Sequence, residues 1–269
     1  MFHHVLIPLD GTSSAESVIP FARALLEATR AKVTLVHVIE KASPGHAHGE
    51  IHLTDRDTAA GYLRSVADSH FKGFDGCEIH VHDYDVPGIA AGLATHAFEL
   101  EPDLILMASH GEHYLRDVVN GNLAHRVAGI GKVPVLLYRG GAVLEPTSRI
   151  LVAVGGNPEH EVSIPFAANL SLVLGSELLF LTVVNAASDE ASAKTRLEVL
   201  AAQFPEVNSR SSVAFGDPVD SVLRFCRNER VGIVVLATHG KSGIEAFWSG
   251  SLAAKLLPHL NVPCLIVPV

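Results

Sequence analysis

The chain has 269 residues, of which 48% are hydrophobic and 18% charged, so it can form a large core and is not intrinsically disordered. Its 29 acidic and 20 basic side chains give a formal charge of −9, which argues against a non-specific nucleic-acid binder or a protein drawn to anionic lipid. No apolar stretch reaches the ~18 residues of a membrane span, and the N-terminus lacks the basic segment of a signal peptide. Three cysteines without a CxxC pair predict a reduced, cytoplasmic protein.

The first half of the chain alternates predicted strands and helices. Val5–Leu9 is a short apolar run that predicts a buried strand, and Ser13 with Glu16 forms the pattern of a capping box at a helix start. Further strands are predicted at 33–39, 78–82, 104–107 and 133–138, with helices at 18–26, 87–100 and from 121 onward. Most of these strands are continuously apolar, which is typical of a parallel sheet covered on both faces.

The second half of the chain repeats the first. Residues 104–111 (Leu-Ile-Leu-Met-Ala-Ser-His-Gly) correspond to residues 233–240 (Ile-Val-Val-Leu-Ala-Thr-His-Gly), and in each copy the same spacing leads to a Val-Pro pair, at Pro134 and Pro263. Proline cannot donate to a ladder, so both prolines are predicted at the start or edge of a last strand. The segment Ile-Pro-Phe-Ala begins at Ile19 and again at Ile164, so corresponding residues of the two copies are 145 positions apart there. Near the end of each copy, corresponding residues are only 129 positions apart. The second copy therefore lacks 16 residues, most of which we assign to the segment after the second strand.

The repeat predicts an α/β protein of two similar doubly wound domains, each with a mostly parallel five-stranded sheet and helices on both faces. We place the domains at 1–140 and 148–269, with a short Gly/Pro linker between them and a His-rich insertion at about 41–54 in the first. In the second domain, Asn157 is the predicted N-cap and Pro158 the first residue of a helix.

Two features of each copy follow the predicted strand ends, where such sheets bind ligands. One is the turn after the first strand, which carries Asp10 in the first copy. The other is the glycine-bearing loop after the fourth strand, which runs from Gly111 to Gly121 and from Gly240 to Gly250, with nine residues between the glycines in each copy. Glycines let the backbone approach a ligand closely, and amides at a helix start attract anions.

The paired pattern Ala-Ser/Thr-His-Gly, nine residues, Gly-Asn/Ser, then Val-Pro-Val/Cys-Leu resembles the universal stress protein family, and its two copies resemble the tandem members. The resemblance covers nearly the whole chain apart from the linker and the insertion. It implies a cytoplasmic stress-response protein that binds ATP, with or without Mg²⁺, through Gly-x-x-Gly-x9-Gly-Ser/Thr and an Asp after the first strand. The implied positions are Pro8, Asp10, Val38, Ala108, Gly111, Gly121 and Asn122 in the first copy and Ala153, Val183, Ala237, Gly240, Gly250 and Ser251 in the second.

Both copies depart from that family pattern. The leading glycine is Ala108 or Ala237, which places a methyl group near the ligand path. Asn122 replaces Ser/Thr in the first copy, although its amide can donate to a phosphate. Gly155 replaces the Asp in the second copy, so the contact to the nucleoside is missing there while the Ser is retained. We favour the first copy as the site, because an Asp gives a directional, charged contact.

Three classes of function follow from these patterns. The leading one is a signalling or interaction module that binds ATP or a related adenine nucleotide. The alternative is a nucleotide-free interaction scaffold, which the two alanines and Gly155 favour; Asp10 with Gly11 is also a common turn pair. Slow ATP hydrolysis ranks last, because we identify no catalytic residue and no metal-binding carboxylates for phosphoryl transfer.

Histidine is concentrated in the first copy, with 13 of the 16 before residue 126. His46, His48 and His52 of the insertion are candidate Zn²⁺ ligands or sensors of mild acid. We favour a solvated loop with polar side chains instead, because alternation with small residues in a Gly/Pro-flanked segment does not fix a tetrahedral site.

The predicted partners are an adenine nucleotide and the chain itself. Single-domain members of the family pair through the last strand, so the resemblance implies an internal pseudo-dimer with Val135–Tyr138 beside Cys264–Val267. A homodimer of the whole chain is left open, and neither nucleic acid nor a membrane is expected as a partner.

Overall fold

The computed structural model describes residues 2–39, 46–47, 50–51, 53–74, 76–82, 89–109, 132–139, 149–238 and 252–269. The chain divides into two compact units, Phe2–Gly141 and Ala142–Val269, which are called domain 1 and domain 2 below. The predicted helix from Gly121 and the predicted linker lie outside the described residues.

Domain 1 contains a five-stranded parallel sheet. Its strands are β1 His4–Pro8, β2 Lys32–Val38, β5 Cys77–His82, β6 Leu104–Ser109 and β7 Val135–Arg139, and β3 His46–Ala47 pairs with β4 Glu50–Ile51 as a small antiparallel hairpin in the insertion. Its helices are α1 Ser13–Glu16, α2 Ile19–Thr29, α3 Arg56–His70 and α4 Ile89–Glu99. The strand order is β7-β6-β1-β2-β5, and every neighbouring pair is parallel.

Domain 2 repeats this arrangement. Its strands are β8 Arg149–Ala153, β9 Leu178–Val184, β10 Ser209–Phe215, β11 Val231–Thr238 and β12 Cys264–Pro268. Its helices are α5 Ser163–Leu174, α6 Glu190–Ala201, α7 Pro218–Asn228 and α8 Leu252–Leu256, with 3-10 turns at Pro158–Val162, Ala187–Asp189 and Leu257–His259. The order β12-β11-β8-β9-β10 is again parallel throughout. The predicted fold class is confirmed in both copies.

The central strands are buried on both faces, which explains the parallel, doubly wound arrangement. Val5–Ile7 of β1 and Ile233–Val235 of β11 are consecutive residues without solvent exposure. Successive strand residues point to opposite faces, so each face needs its own layer of helices. Each fully buried aliphatic side chain contributes roughly 1.5–3 kcal/mol to folding.

The helix start after β1 differs from the sequence prediction. Its N-cap is Thr12, whose Oγ1 accepts a hydrogen bond from the Ala15 amide at 3.1 Å, so the predicted capping box of Ser13 and Glu16 is wrong. Thr12 takes the cap because its backbone is extended (φ −86°, ψ 147°), as an N-cap requires, while Ser13 is already helical. The Glu16 carboxylate instead accepts a hydrogen bond from Tyr62.

Other local predictions are confirmed. Asn157 caps a turn of 3-10 helix that begins with Pro158. Pro134 and Pro263 directly precede β7 and β12, where their missing N–H costs no ladder bond, and their carbonyl oxygens accept from the amides of β6 and β11. Within the described ranges, no helix has the length and apolarity that crossing a bilayer would need.

The layered core makes one stability prediction. Phe180 in β9 is 0% exposed, whereas Phe215 in β10 is 42% exposed. We expect Phe180→Ala to lower the free energy of unfolding by ~3–5 kcal/mol, because it removes a full side chain and leaves a cavity. Phe215→Ala is the matched control and should change it by less than ~1 kcal/mol. Urea unfolding of the full chain, followed by circular dichroism, measures both; equal losses would contradict the assignment of Phe180 to the core.

Candidate functional site

The strand order of domain 1 reverses beside β1. From β1 the sheet extends through β2 on one side and through β6 on the other, and parallel sheets bind ligands at the carboxyl ends of strands at such a reversal. Val5 and Leu6 pair with Leu104 and Ile105, and continuing this register places Ala108 level with the residues that follow β1. The structure thus brings Pro8, Asp10 and Ala108 to one edge of the sheet, with Val38 at the end of the neighbouring strand β2.

Asp10 orders the turn between β1 and α1. Its Oδ1 accepts hydrogen bonds from the backbone amide of Thr12 at 2.9 Å and from the Thr12 hydroxyl at 2.7 Å. This confirms that Asp10 has the turn role that its type and its neighbour Gly11 suggested. The side chain of Asp10 is half-buried. The two hydrogen bonds from Thr12 therefore fix a carboxylate at the point where the strand order reverses.

His37 connects the end of β1 to the end of the insertion. It is 2% exposed, with Nδ1 2.8 Å from the Leu9 carbonyl oxygen and Nε2 3.0 Å from the Leu53 carbonyl oxygen. Leu53 in turn lies against Gly11, where a Cβ atom would come within 3.1 Å of the Leu53 side chain. The insertion therefore returns to the edge of the sheet directly beside the turn that carries Asp10.

Tyr62 of α3 interacts with the same turn and with the helix that follows it. Its hydroxyl donates to Glu16 Oε1 at 2.9 Å. Burial raises the pKa of Tyr62 well above its usual value, and the carboxylates of Glu16 and Asp10 add to the shift. The phenol is therefore a neutral hydrogen-bond donor at physiological pH, in an edge of the sheet that carries two acidic side chains.

Domain 2 has different side chains at the same places. Gly155 lies where domain 1 has Asp10, and Glu161 corresponds to Glu16 by the offset that relates the two Ile-Pro-Phe-Ala segments. Arg196 is the seventh residue of α6, as Tyr62 is the seventh of α3.

The guanidinium of Arg196 donates to the Gly155 carbonyl oxygen at 2.9 Å and to Glu161 Oε1 at 2.6 Å. A Cβ atom on Gly155 would lie 3.1 Å from the Nδ1 atom of His160. The chain's own side chains therefore occupy the space beside Gly155.

The remaining predicted positions are divided between described and undescribed residues. Ala153, Val183 and Ala237 lie half-buried in β8, β9 and β11 of domain 2. Gly111, Gly121, Asn122, Gly240, Gly250 and Ser251 lie outside the described residues, as do His48, His52 and the side chain of His46. In the part of the chain that the structure describes, no group of three or more His, Cys, Asp or Glu side chains is arranged to hold a metal ion.

Sequence reasoning missed the supporting residues His37, Tyr62 and Arg196. A signal for His37 was available, because it is a polar residue between Val36 and Val38 in the apolar second half of β2. No comparable signal marks Tyr62 or Arg196, since only the packing of α3 and α6 brings them to the turn after the first strand.

The order of strands reverses beside the first strand, and a polar turn lies at that point. This defines a doubly wound α/β protein, an architecture that binds ligands at such reversals. The model of the universal stress protein family matches residues 1–139 and again residues 146–268. The chain therefore belongs to the universal stress protein family, as a tandem member with two family domains.

Individual relatives agree with this assignment. Universal stress protein Sll1654 of Synechocystis is 28% identical over 138 residues, which cover 51% of this chain and 85% of that protein. A universal stress protein from Archaeoglobus fulgidus has the same fold, with a TM-score of 0.72 at 16% identity, over 98% of this chain and 96% of that one. Protein PA1789 of Pseudomonas aeruginosa, described as functionally unknown, gives a TM-score of 0.69 at 14% identity, over 99% and 92%.

The turn after β1 makes a prediction about Gly11. This glycine has φ +92° and lies against Leu53, whereas Gly73 has φ +93° with no atom within 4 Å of an added Cβ. Gly73→Ala should cost about 1–2 kcal/mol of folding stability through backbone strain alone. Gly11→Ala should cost more, because Leu53 must also move. Urea unfolding of both variants tests this, and equal losses would show that Leu53 does not restrict the turn.

Proposed function

We propose that domain 1 binds an adenine nucleotide, with MgATP as the first ligand to test, and that the protein acts as a stress-response signalling or interaction module. One observation carries this proposal. A half-buried carboxylate, that of Asp10, lies at the strand-order reversal of domain 1, and Gly155 lies in its place in domain 2.

The chemistry of the turn fits a nucleoside. A carboxylate accepts hydrogen bonds from hydroxyl groups, and hydrogen bonds to charged groups contribute more than neutral ones. The bonds from Thr12 hold Asp10 in one orientation before any ligand arrives, which lowers the entropy lost on binding. The loop between Gly111 and Gly121 would supply backbone amides for the phosphates.

The side chains of domain 2 argue for one nucleotide per chain. Gly155 offers no carboxylate, and His160 and Arg196 occupy the space beside it. Glu161 already pairs with Arg196, at 2.6 Å. A nucleoside at this edge would have to displace an ion pair and would find no carboxylate at the position that Asp10 holds in domain 1.

Asp10 variants test the proposal. Asp10→Asn keeps an oxygen that can accept from Thr12 but removes the charge, so we expect MgATP affinity to fall about tenfold; Asp10→Ala also loses the turn, and we expect about a hundredfold loss. Asp217→Asn is the matched control, because Asp217 belongs to domain 2, where it caps α7 with an Oδ1 atom that accepts from two backbone amides. Isothermal titration calorimetry measures all three; an Asp10→Asn variant that binds as the unaltered protein does would contradict the role of the carboxylate.

The stoichiometry of retained ligand is a separate prediction. Protein purified without added nucleotide should release about one equivalent of an adenine nucleotide when it is denatured. If the purified protein is empty, the folded protein should bind about one equivalent on titration. Chromatography with mass spectrometry identifies the released molecule. Two equivalents would contradict the assignment to domain 1 alone.

A nucleotide-free interaction scaffold is the second candidate function. The observation that favours it is the use of Asp10 Oδ1 within its own turn, together with the methyl group of Ala108 at the neighbouring strand. A purified protein that is empty and binds no MgATP would support this candidate and overturn the first. In either case, the pairing of the two domains through their last strands, and of two chains with each other, stays a prediction.

A further inference from the structure

Three histidines pack ring against ring in domain 1, and none of them is among the candidate nucleotide-binding residues. His80 and His82 alternate along β5 and so face the same side of the sheet, where His96 of α4 lies over them. The centroid of the His96 ring is 4.3 Å from that of His80 and 4.4 Å from that of His82, both in edge-to-face geometry. We call these residues the histidine cluster.

The central ring of the histidine cluster is poorly suited to carry a charge. His96 is 0% exposed, and its Nε2 atom has no hydrogen-bond partner among the described residues. Its Nδ1 atom lies 3.4 Å from Oε2 of Glu99. The Glu99 side chain is 54% exposed, so water screens its carboxylate and the carboxylate stabilises a positive charge on His96 only weakly. Burial, followed by the charges of His80 and His82, lowers the pKa of His96 to about 4.

The charged groups around the histidine cluster do not offset this effect. Glu78 lies on the same face of β5 as His80 and His82, but it pairs with Lys32 of β2 at 2.9 Å. On β2, the residues in register with the cluster are Val36 and Val38. Among the described residues that face His96, Glu99 is therefore the one acidic side chain that could stabilise a proton there.

Domain 2 provides an internal reference for this arrangement. In domain 1, His80 pairs with Val36 and His82 with Val38. In domain 2, the corresponding residues of β10 are Ser212 and Ala214, which pair with Leu181 and Val183 of β9. Phe225 is the eighth residue of α7, as His96 is the eighth of α4. The same fold thus forms with serine, alanine and phenylalanine, so the packing of the helix on the edge strand does not itself require histidine.

We propose that the histidine cluster is an acid-sensitive switch that releases α4 from β5. Protonation places a charge on a buried ring between two other imidazoles, and the helix must open to hydrate it. Because α4 connects β5 to β6, whose end carries Ala108, the opening acts on a strand that borders the candidate site.

The sign of the pH dependence follows from the two states. An opened His96 takes up a proton near the ordinary value of 6.5, whereas the packed ring does so only near 4. The packing of α4 is therefore fully stable above pH 6.5 and loses stability as the pH falls from 6.5 towards 4.

Hydrogen–deuterium exchange of the full chain measures this opening. Exchange of the α4 peptide, corrected for the intrinsic effect of pH, is compared with that of α7 in domain 2 at pH 7.5, 6.5, 5.5 and 4.5. We expect the protection of α4 relative to α7 to fall by about two orders of magnitude between pH 7.5 and 4.5. Unchanged relative protection would overturn the proposal.

The residues of domain 2 define the variant. His80→Ser, His82→Ala and His96→Phe together copy the corresponding positions of domain 2, and the variant should keep the relative protection of α4 constant across the pH range. The single variant His96→Phe removes only the central imidazole. It is used in place of the triple variant if circular dichroism shows that the triple variant is unfolded. His3→Gln, at an exposed histidine, is the control and should retain the pH dependence of the unaltered protein.

Two further outcomes would contradict the switch. A variant without the histidine cluster that still loses α4 protection with acid would place the titrating groups elsewhere. The second outcome concerns Zn²⁺, added in equimolar amount at pH 7.5. If Zn²⁺ raised the protection of α4 in the unaltered protein but not in the variant, the cluster would be a metal site. The expected result is no effect of Zn²⁺ on α4.

Discussion

The burial of both sheet faces is the constraint on which the rest of this structure depends. Strands such as β1 and β8 have no exposed face, so helices must cover them on both sides and their polar residues lie at the strand ends. At those ends the order of strands reverses, and the chain turns away from the sheet at Asp10 and Gly155. The position of the candidate site is therefore a consequence of how the core is formed.

The two domains show how one frame can carry different chemistry. Each keeps a glutamate in the helical segment after its first strand, Glu16 or Glu161, and pairs it with the seventh residue of a later helix. In domain 1 that residue is the neutral donor Tyr62, beside a carboxylate. In domain 2 it is Arg196, whose charge is balanced by the glutamate. The duplicated core tolerates both pairs because neither pair contributes to the apolar layers.

The histidine cluster is a second difference between the two domains, because domain 2 has no histidine at the corresponding positions. Buried hydroxyl groups in the described parts of both domains donate to nearby backbone carbonyl oxygens, as Thr29 does to Leu25 and Ser221 to Phe215. The Nε2 atom of His96 has no such partner among the described residues, and the corresponding Phe225 shows that an apolar ring suits the same helix. A buried titratable group at a position where an apolar one would serve supports the proposed acid-sensitive role.

The sequence by itself determined the repeat, the fold class and the approximate strands, because apolar runs, Val-Pro pairs and repeated glycine spacing are local patterns that need no knowledge of packing. It also located Asp10 at a strand end. It misplaced the cap of α1, since Thr12 and Ser13 are both good capping residues and only the backbone path selects one. Tertiary structure alone decided which residues surround Asp10 and Gly155 and which imidazoles meet at His96, because these contacts join separate helices and strands whose packing the local sequence does not specify.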